Sequence, residues 1–241
     1  MGLFRDVSIS LATGKVSNAK GRIAENKLLT LGVVVLGIIG VVIVYYTVVT
    51  VVAYEVTPQL LADYVASHKM PLQPQSLPPR YIDILLAVED PNFMNHHGID
   101  LSTPGAGYTT ITQGLAKQVY FVHFRSGIAK VKQSLYAMVL DRRLSKQDQL
   151  GLFINTVYMG TLTGKPVNGF SEAARVYFGK DFTALTEDQY IALVAMVVGP
   201  DGYSVVRFPA RNAERVRRIR KLLRGECKPS GLADVYYEGC K

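Results

Sequence analysis

Residues 28–54 hold no charged side chain across 27 positions, and that block restricts what the whole chain can become. A helix of this length rises about 40 Å at about 1.5 Å per residue, against a bilayer hydrocarbon core of about 30 Å. It exceeds the apolar core of a secretory signal, and Val52-Ala-Tyr-Glu55 offers no small-x-small cleavage site. As the buried helix of a soluble protein it would need a far larger domain around it. The expectation is one transmembrane helix over 28–54. On its N-terminal side Arg5, Lys15, Lys20, Arg22 and Lys27 face only Asp6 and Glu25. The positive-inside bias therefore assigns residues 1–27, polar and of little periodicity, to the cytoplasm and everything after Tyr54 to the outside. In a bacterium that describes a single-pass protein of the cytoplasmic (inner) membrane.

Beyond the anchor the chain reads as mainly α, with no strand array and no internal repeat. Leu60, Leu61, Tyr64 and Val65 have helical spacing, and Pro71, Pro74, Pro78 and Pro79 then mark an extended connector. Residues 55–80 are thus a juxtamembrane helix plus connector, 81–224 a helical domain and 225–241 a C-terminal tail. Within the domain, helices are predicted over 111–120, 128–144, 171–178 and 210–223. Ser145-Lys-Gln-Asp148 and Thr186-Glu-Asp-Gln189 are capped starts of two more, and Gly179 is a helix stop. Cys227 and Cys240 are the only cysteines. In an oxidising compartment they can pair; two free thiols or bonds to another chain are the alternatives. The chain carries a net charge of +8, and Arg207, Arg211, Arg215, Arg217, Arg218, Arg220, Lys221 and Arg224 crowd its last helix. Outside the cell, nucleic acid is not a sensible partner for them; anionic lipid headgroups are, or plain solvent.

Three stretches carry chemistry. The first is Ala87-Val-Glu-Asp-Pro-Asn-Phe-Met-Asn-His-His-Gly-Ile-Asp100. A helix that buries Ile82, Leu85, Leu86 and Val88 and halts at Pro91 holds Glu89 at the edge of a cleft. A carboxyl half-removed from water has a raised pKa, as a general acid or base near neutral pH requires. The alternative is an ordinary helix end with solvated acids. In the second stretch, Thr109 or Thr110 can cap a helix whose free N–H groups favour an anion, with Gln113 and Lys117 on one face. In the third, Lys130 and Gln133 lie three apart and share a face. A capped helix start and an amphipathic helix are the plain readings of these two.

Glu89-Asp-x-x-Phe-x-x-His-x-Gly-Ile-Asp100 resembles the first motif of the family 51 glycosyltransferases, the peptidoglycan glycosyltransferases. Thr109-Thr-Ile-Thr-Gln-x-Leu-Ala-Lys117 is similar to their second, with Thr109 where Ser is usual. Leu144-Ser-Lys146, Asn155-x-x-Tyr-x-Gly160, Ala173-Ala-x-x-Tyr-Phe-Gly-Lys180 and the closing basic helix resemble later signatures in the same order. The likeness runs from Pro79 to Leu223.

The resemblance implies a lysozyme-like helical domain on the outer face of the membrane that polymerises lipid II into glycan strands. Glu89 matches the general base, supported by Asp90, Phe93, His96 and Asp100. Thr110 and Gln113 match the polar wall of the substrate cleft, and Lys117 and Lys130 the side that meets the leaving undecaprenyl pyrophosphate. Gln133 stands where the family has a second glutamate. Gly114 replaces a glutamine, and only residues 101–106 separate Asp100 from Gly107, where a longer connection is usual. No cofactor is required by this pattern. The family admits a divalent cation (Mg or Mn) at the pyrophosphate, but no metal-ligand spacing is evident. Lipid II, the nascent glycan strand, the membrane and other cell-wall synthesis proteins are the implied partners. Too few residues come after Leu223 for a transpeptidase domain, which suggests the monofunctional type. Two rival readings keep the fold: a catalytically impaired homologue that binds lipid II or glycan as a scaffold or regulator, and a glycan-cleaving, lysozyme-like enzyme.

Overall fold

The structure, a computed structural model, describes the backbone from residue 6 and side chains from residue 27. Of the polar segment 1–27, residues 1–5 and the side chains of 6–26 lie outside that description. The chain divides into two compact units, Met1–Val51 and Val52–Lys241. In the first, helix α1 (Asp6–Ser67) displays the apolar block to its surroundings, Leu28, Leu36 and Val41 all being about 70% exposed. It is the one helix among the described residues long and apolar enough to cross a membrane.

The second unit is built almost wholly from helices: the end of α1, then α2 (Pro79–Glu89), α3 (Ile111–Tyr120), α4 (Ile128–Arg143), α5 (Lys146–Thr156), α6 (Gly169–Phe178), α7 (Glu187–Val197) and α8 (Pro209–Leu223). Local chemistry accounts for the starts. Pro79 and Pro209 occupy first-turn positions, where a missing N–H removes no helical bond. Thr110 with Gln113 and Thr186 with Gln189 form reciprocal capping boxes, and the Ser145 hydroxyl accepts from Asp148 N at 3.1 Å. Gly179 ends α6 in the left-handed region at φ 64°, as a stop glycine should.

Helix α7 is apolar nearly all round. It buries Tyr190, Ile191, Leu193, Val194, Ala195 and Met196 and is flanked by α2, α6 and α8, so it forms the centre of the unit. Helix α3 packs between α4 and α5. Two features depart from the sequence reading. Tyr158–Leu162 (β1) and Lys165–Asn168 (β2) pair antiparallel, with Leu162 opposite Lys165. Thr163 and Gly164, at φ 50° and 78°, supply the two left-handed residues of the tight hairpin. Thr-Gly is a weaker turn signal than Asn-Gly, and Gly160 and Pro166 depress strand propensity, so the sequence does not announce the pair. The proline-rich connector is not a free linker either. Leu72, Pro74 and Leu77 are buried, and Asn155 clamps the Leu72 backbone by accepting from its N–H (3.0 Å) and donating to its carbonyl (2.8 Å).

Candidate active site

Helix α2 buries Tyr81, Ile84, Leu85 and Val88 on one face and ends at Glu89. Pro91 cannot extend it. Glu89 thereby emerges half-buried into a cleft of about 420 Å³, lined by Tyr108, Thr109, Thr110, Lys117, Tyr158 and Arg215. One of its oxygens, Oε1, is buried without a hydrogen-bond partner. Burial drives the Glu89 carboxyl up to about 7; the Arg215 guanidinium pulls it down and the Asp90 charge pushes it further up. A carboxyl that titrates there, lining a cleft and with one oxygen left without a partner, is suited to receive a proton.

The supporting residues lie behind Glu89. Asp90 is 1% exposed; its carboxylate accepts from Ile111 N at 2.9 Å and from His96 Nε2 at 3.0 Å. Gly98 N donates to His96 Nδ1 at 3.1 Å, which leaves the Nε2 hydrogen for Asp90. One buried acid therefore ties the Glu89 turn to the first amide of α3. Phe93 is buried, with Lys146 Nζ 4.7 Å from its ring centre. Asp100 accepts from Ser102 N, Ser102 Oγ, Thr103 N and Thr103 Oγ1. Burial alone would raise its carboxyl, but these bonds outweigh it and hold the group well below the usual carboxylate range. None of the four reaches the cleft in the way Glu89 does.

Across the cleft the substrate-side residues separate into two groups. Thr110 and Lys117 line it. Lys130 reaches its rim, with Nζ donating to Thr109 Oγ1 at 2.7 Å; burial and the nearby Lys117 charge lower the Lys130 pKa. Gln113 and Gln133 instead sit between α3 and α4, both 2% exposed. Gln113 Nε2 donates to Ser134 Oγ and Gln133 Nε2 to the Gln113 carbonyl. Gln133→Glu should therefore destabilise the fold by about 1–3 kcal/mol, because a buried carboxylate would face a carbonyl oxygen instead of an N–H. Thermal unfolding of the pair checks this; an unchanged midpoint would refute it.

These residues do not fit a divalent-metal site. Lys117 in the cleft and Lys130 at its rim add positive charge that repels a cation, Gln133 offers at most one neutral, buried oxygen while its Nε2 is engaged with the Gln113 carbonyl, and no group of three His, Cys, Asp or Glu that could hold an ion occurs among the described residues.

Sequence reasoning missed Arg215, Tyr190 and Tyr237 as neighbours of Glu89. In the sequence Arg215 is one of eight cations with nothing to single it out by type. Its signal is positional: Asn212, Arg215, Val216 and Ile219 fall at helical spacing and form the buried face of α8. Arg215 is 3% exposed.

The family model for Transglycosylase matches residues 57–224. Penicillin-binding protein 1B of Vibrio cholerae is 32% identical over 165 residues, which is 63% of this chain and 21% of that protein. Penicillin-binding protein 1B of Escherichia coli K12 is 34% identical over 159 residues, 61% of this chain and 19% of that protein. Penicillin-binding protein 1F of Bacillus subtilis is 30% identical over 168 residues, 64% and 23% respectively. The chain thus spans about a fifth of the length of these relatives. The match takes in Glu89 and both cleft lysines, and the chain belongs to the transglycosylase family, the family 51 peptidoglycan glycosyltransferases.

Proposed function

We propose that the chain is a peptidoglycan glycosyltransferase that joins lipid II units into glycan strands. The observation that carries this is the Glu89 carboxyl, raised to about 7 and with one oxygen unpartnered, lining a cleft that also holds the cations Lys117 and Arg215. In the reaction, the 4-hydroxyl oxygen of the acceptor sugar attacks the anomeric carbon of the donor. Glu89 takes the hydroxyl proton as that bond forms, the bond from the anomeric carbon to the pyrophosphate oxygen breaks, and the centre inverts. Lys117 and Lys130 meet the negative charge that builds on the departing undecaprenyl pyrophosphate. No step runs through a metal. Chelation with EDTA is expected to leave the rate largely unchanged; a collapse restored by Mg or Mn would contradict this reading.

The same proposal seats α1 in the cytoplasmic membrane, N-terminus inside, with the catalytic unit outside beside lipid II, the nascent strand and other wall-synthesis proteins. The test is purified full-length protein in detergent with labelled lipid II. Polymer from the wild type but not from Glu89→Gln supports synthesis. Binding without polymer would favour the scaffold reading, and fragments released from preformed glycan would favour lysis.

A further inference from the structure

Residues 225–241 lie beyond the matched family region, and their sequence suggests no more than a tail. In the structure they turn back over the cleft. Gly225, at φ 71°, reverses the chain after α8, and the Cys227–Cys240 disulfide closes the segment into a loop. Asp234 knots it internally by accepting from the backbone N–H groups of Ser230 (2.9 Å), Glu238 (2.7 Å) and Gly239 (3.2 Å).

The loop is fastened to the catalytic machinery at four points. Gly105 N donates to Gly231 O at 2.9 Å and Gly107 N to Leu232 O at 2.8 Å, which seats it on the cleft-lining 105–108 stretch. A Cβ at Gly105 would lie 2.7 Å from Pro229, and one at Gly107 2.6 Å from Val235, so the two surfaces meet with no room for a side chain. Arg215 Nη1 donates to Val235 O at 2.6 Å, and Val235 lines the cleft with Glu89. The Tyr237 hydroxyl donates to Val88 O, a last-turn carbonyl of α2 with no helical partner of its own. Tyr237 is 1% exposed and held at φ 55°, a backbone conformation a tyrosine keeps only when its surroundings impose it.

We propose that this disulfide-closed strap is a working wall of the catalytic cleft, in which Tyr237 and Val235 are positioning residues that hold the end of α2 and seal Glu89 from water, so that reducing Cys227–Cys240 opens the site. The groups facing Glu89 are Asp90 on its own turn, Arg215 from α8, Tyr190 from α7 and Tyr237 from the strap, with Lys117, Tyr108 and Tyr158 around the cleft. Of these groups only Tyr237 belongs to the disulfide-closed segment, and it packs into the hydrophobic core together with Cys240. In an oxidising compartment the bond persists and the wall stays shut.

The proposal rests on the glycosyltransferase reading for its consequence, but its test does not. The full chain in detergent is compared with Cys227→Ser/Cys240→Ser and with Tyr237→Ala, which keeps the disulfide. Amide exchange at Gly105 and Gly107 and the NMR titration of the Glu89 carboxyl are measured. The double serine variant should exchange those two amides at least about 30-fold faster while α7 keeps its protection. In both variants the Glu89 midpoint should fall from about 7 toward its ordinary 4.5 as water enters. Tyr237→Phe, which keeps the ring, should restore the midpoint. Dithiothreitol, giving two electrons to form two thiols and leaving as its own cyclic disulfide, should reproduce the double serine result. A Glu89 midpoint that stays near 7 in both variants overturns the proposal. If α7 protection is lost as well, Tyr237→Ala decides alone. Polymer assays on the same samples should show a rise in KM for lipid II when the strap opens. Absence of polymer from the oxidised wild type sinks the glycosyltransferase reading, while the exchange and titration results still decide the role of the strap.

Discussion

Glu89→Gln is expected to lower lipid II polymerisation by about 10²–10⁴-fold, the range over which a positioned general base acts. The amide fills the same space and cannot accept the proton. The wild-type rate should rise with pH through about 7 and then level, because the base must be ionised to work and its carboxyl titrates there. The same shift makes a stability prediction of opposite sign. The folded protein holds the Glu89 proton more tightly than the unfolded chain, so between about 4.5 and 7 stability falls as pH rises. A shift from 4.5 to about 7 corresponds to about 3 kcal/mol, all of it lost above pH 7. Glu89→Gln removes that penalty. Its melting temperature relative to wild type should therefore be higher at pH 8 than at pH 4.5. A variant that loses activity but shows the same relative stability at both pH values would mean that Glu89 is not a desolvated base.

Asp90→Ala should be the most destabilising single change near the site, by about 3–5 kcal/mol. It strands the Ile111 amide and the His96 Nε2 hydrogen, both buried, and it disconnects the Glu89 turn from α3. For a domain of this size that is a fall in melting temperature of about 10 °C. Asp90→Asn should sit between the two, since one oxygen can still accept from Ile111 N while its NH₂ confronts His96. That Nε2 cannot exchange its hydrogen for a lone pair without breaking the Gly98 bond to Nδ1. Thermal unfolding of the three proteins tests the order. Equal melting temperatures would remove Asp90 from the frame that aims Glu89.

Several of these features are readable without any coordinates. An uncharged run of 27 residues admits few structures, and the stops and starts of helices depend on residues within one turn. Pro91 after Val88-Glu-Asp90, Thr110 three before Gln113 and Gly179 after Phe178 therefore mark helix ends directly. Glu89 is identifiable for the same reason: its place is set by the helix that carries it. The hairpin at 158–168 is not, because a single pair of short strands owes its existence to the helices it packs beside rather than to its own propensity.

The sequence alone could not reveal what surrounds Glu89. Its raised pKa comes first from burial in the packed domain, which outweighs the downward pull of Arg215, 126 positions later. Gln133 looks in the sequence like a vacant place for a second catalytic acid; packing turns it onto the Gln113 carbonyl, away from the cleft. Residues 225–241 look like a tail; four hydrogen bonds and a disulfide make them a wall. Helix ends and an apolar span depend on short-range backbone and solvation chemistry, so the chain declares them locally. Which groups face a carboxyl in a cleft depends on contacts between distant segments, and only the packed structure brings those together.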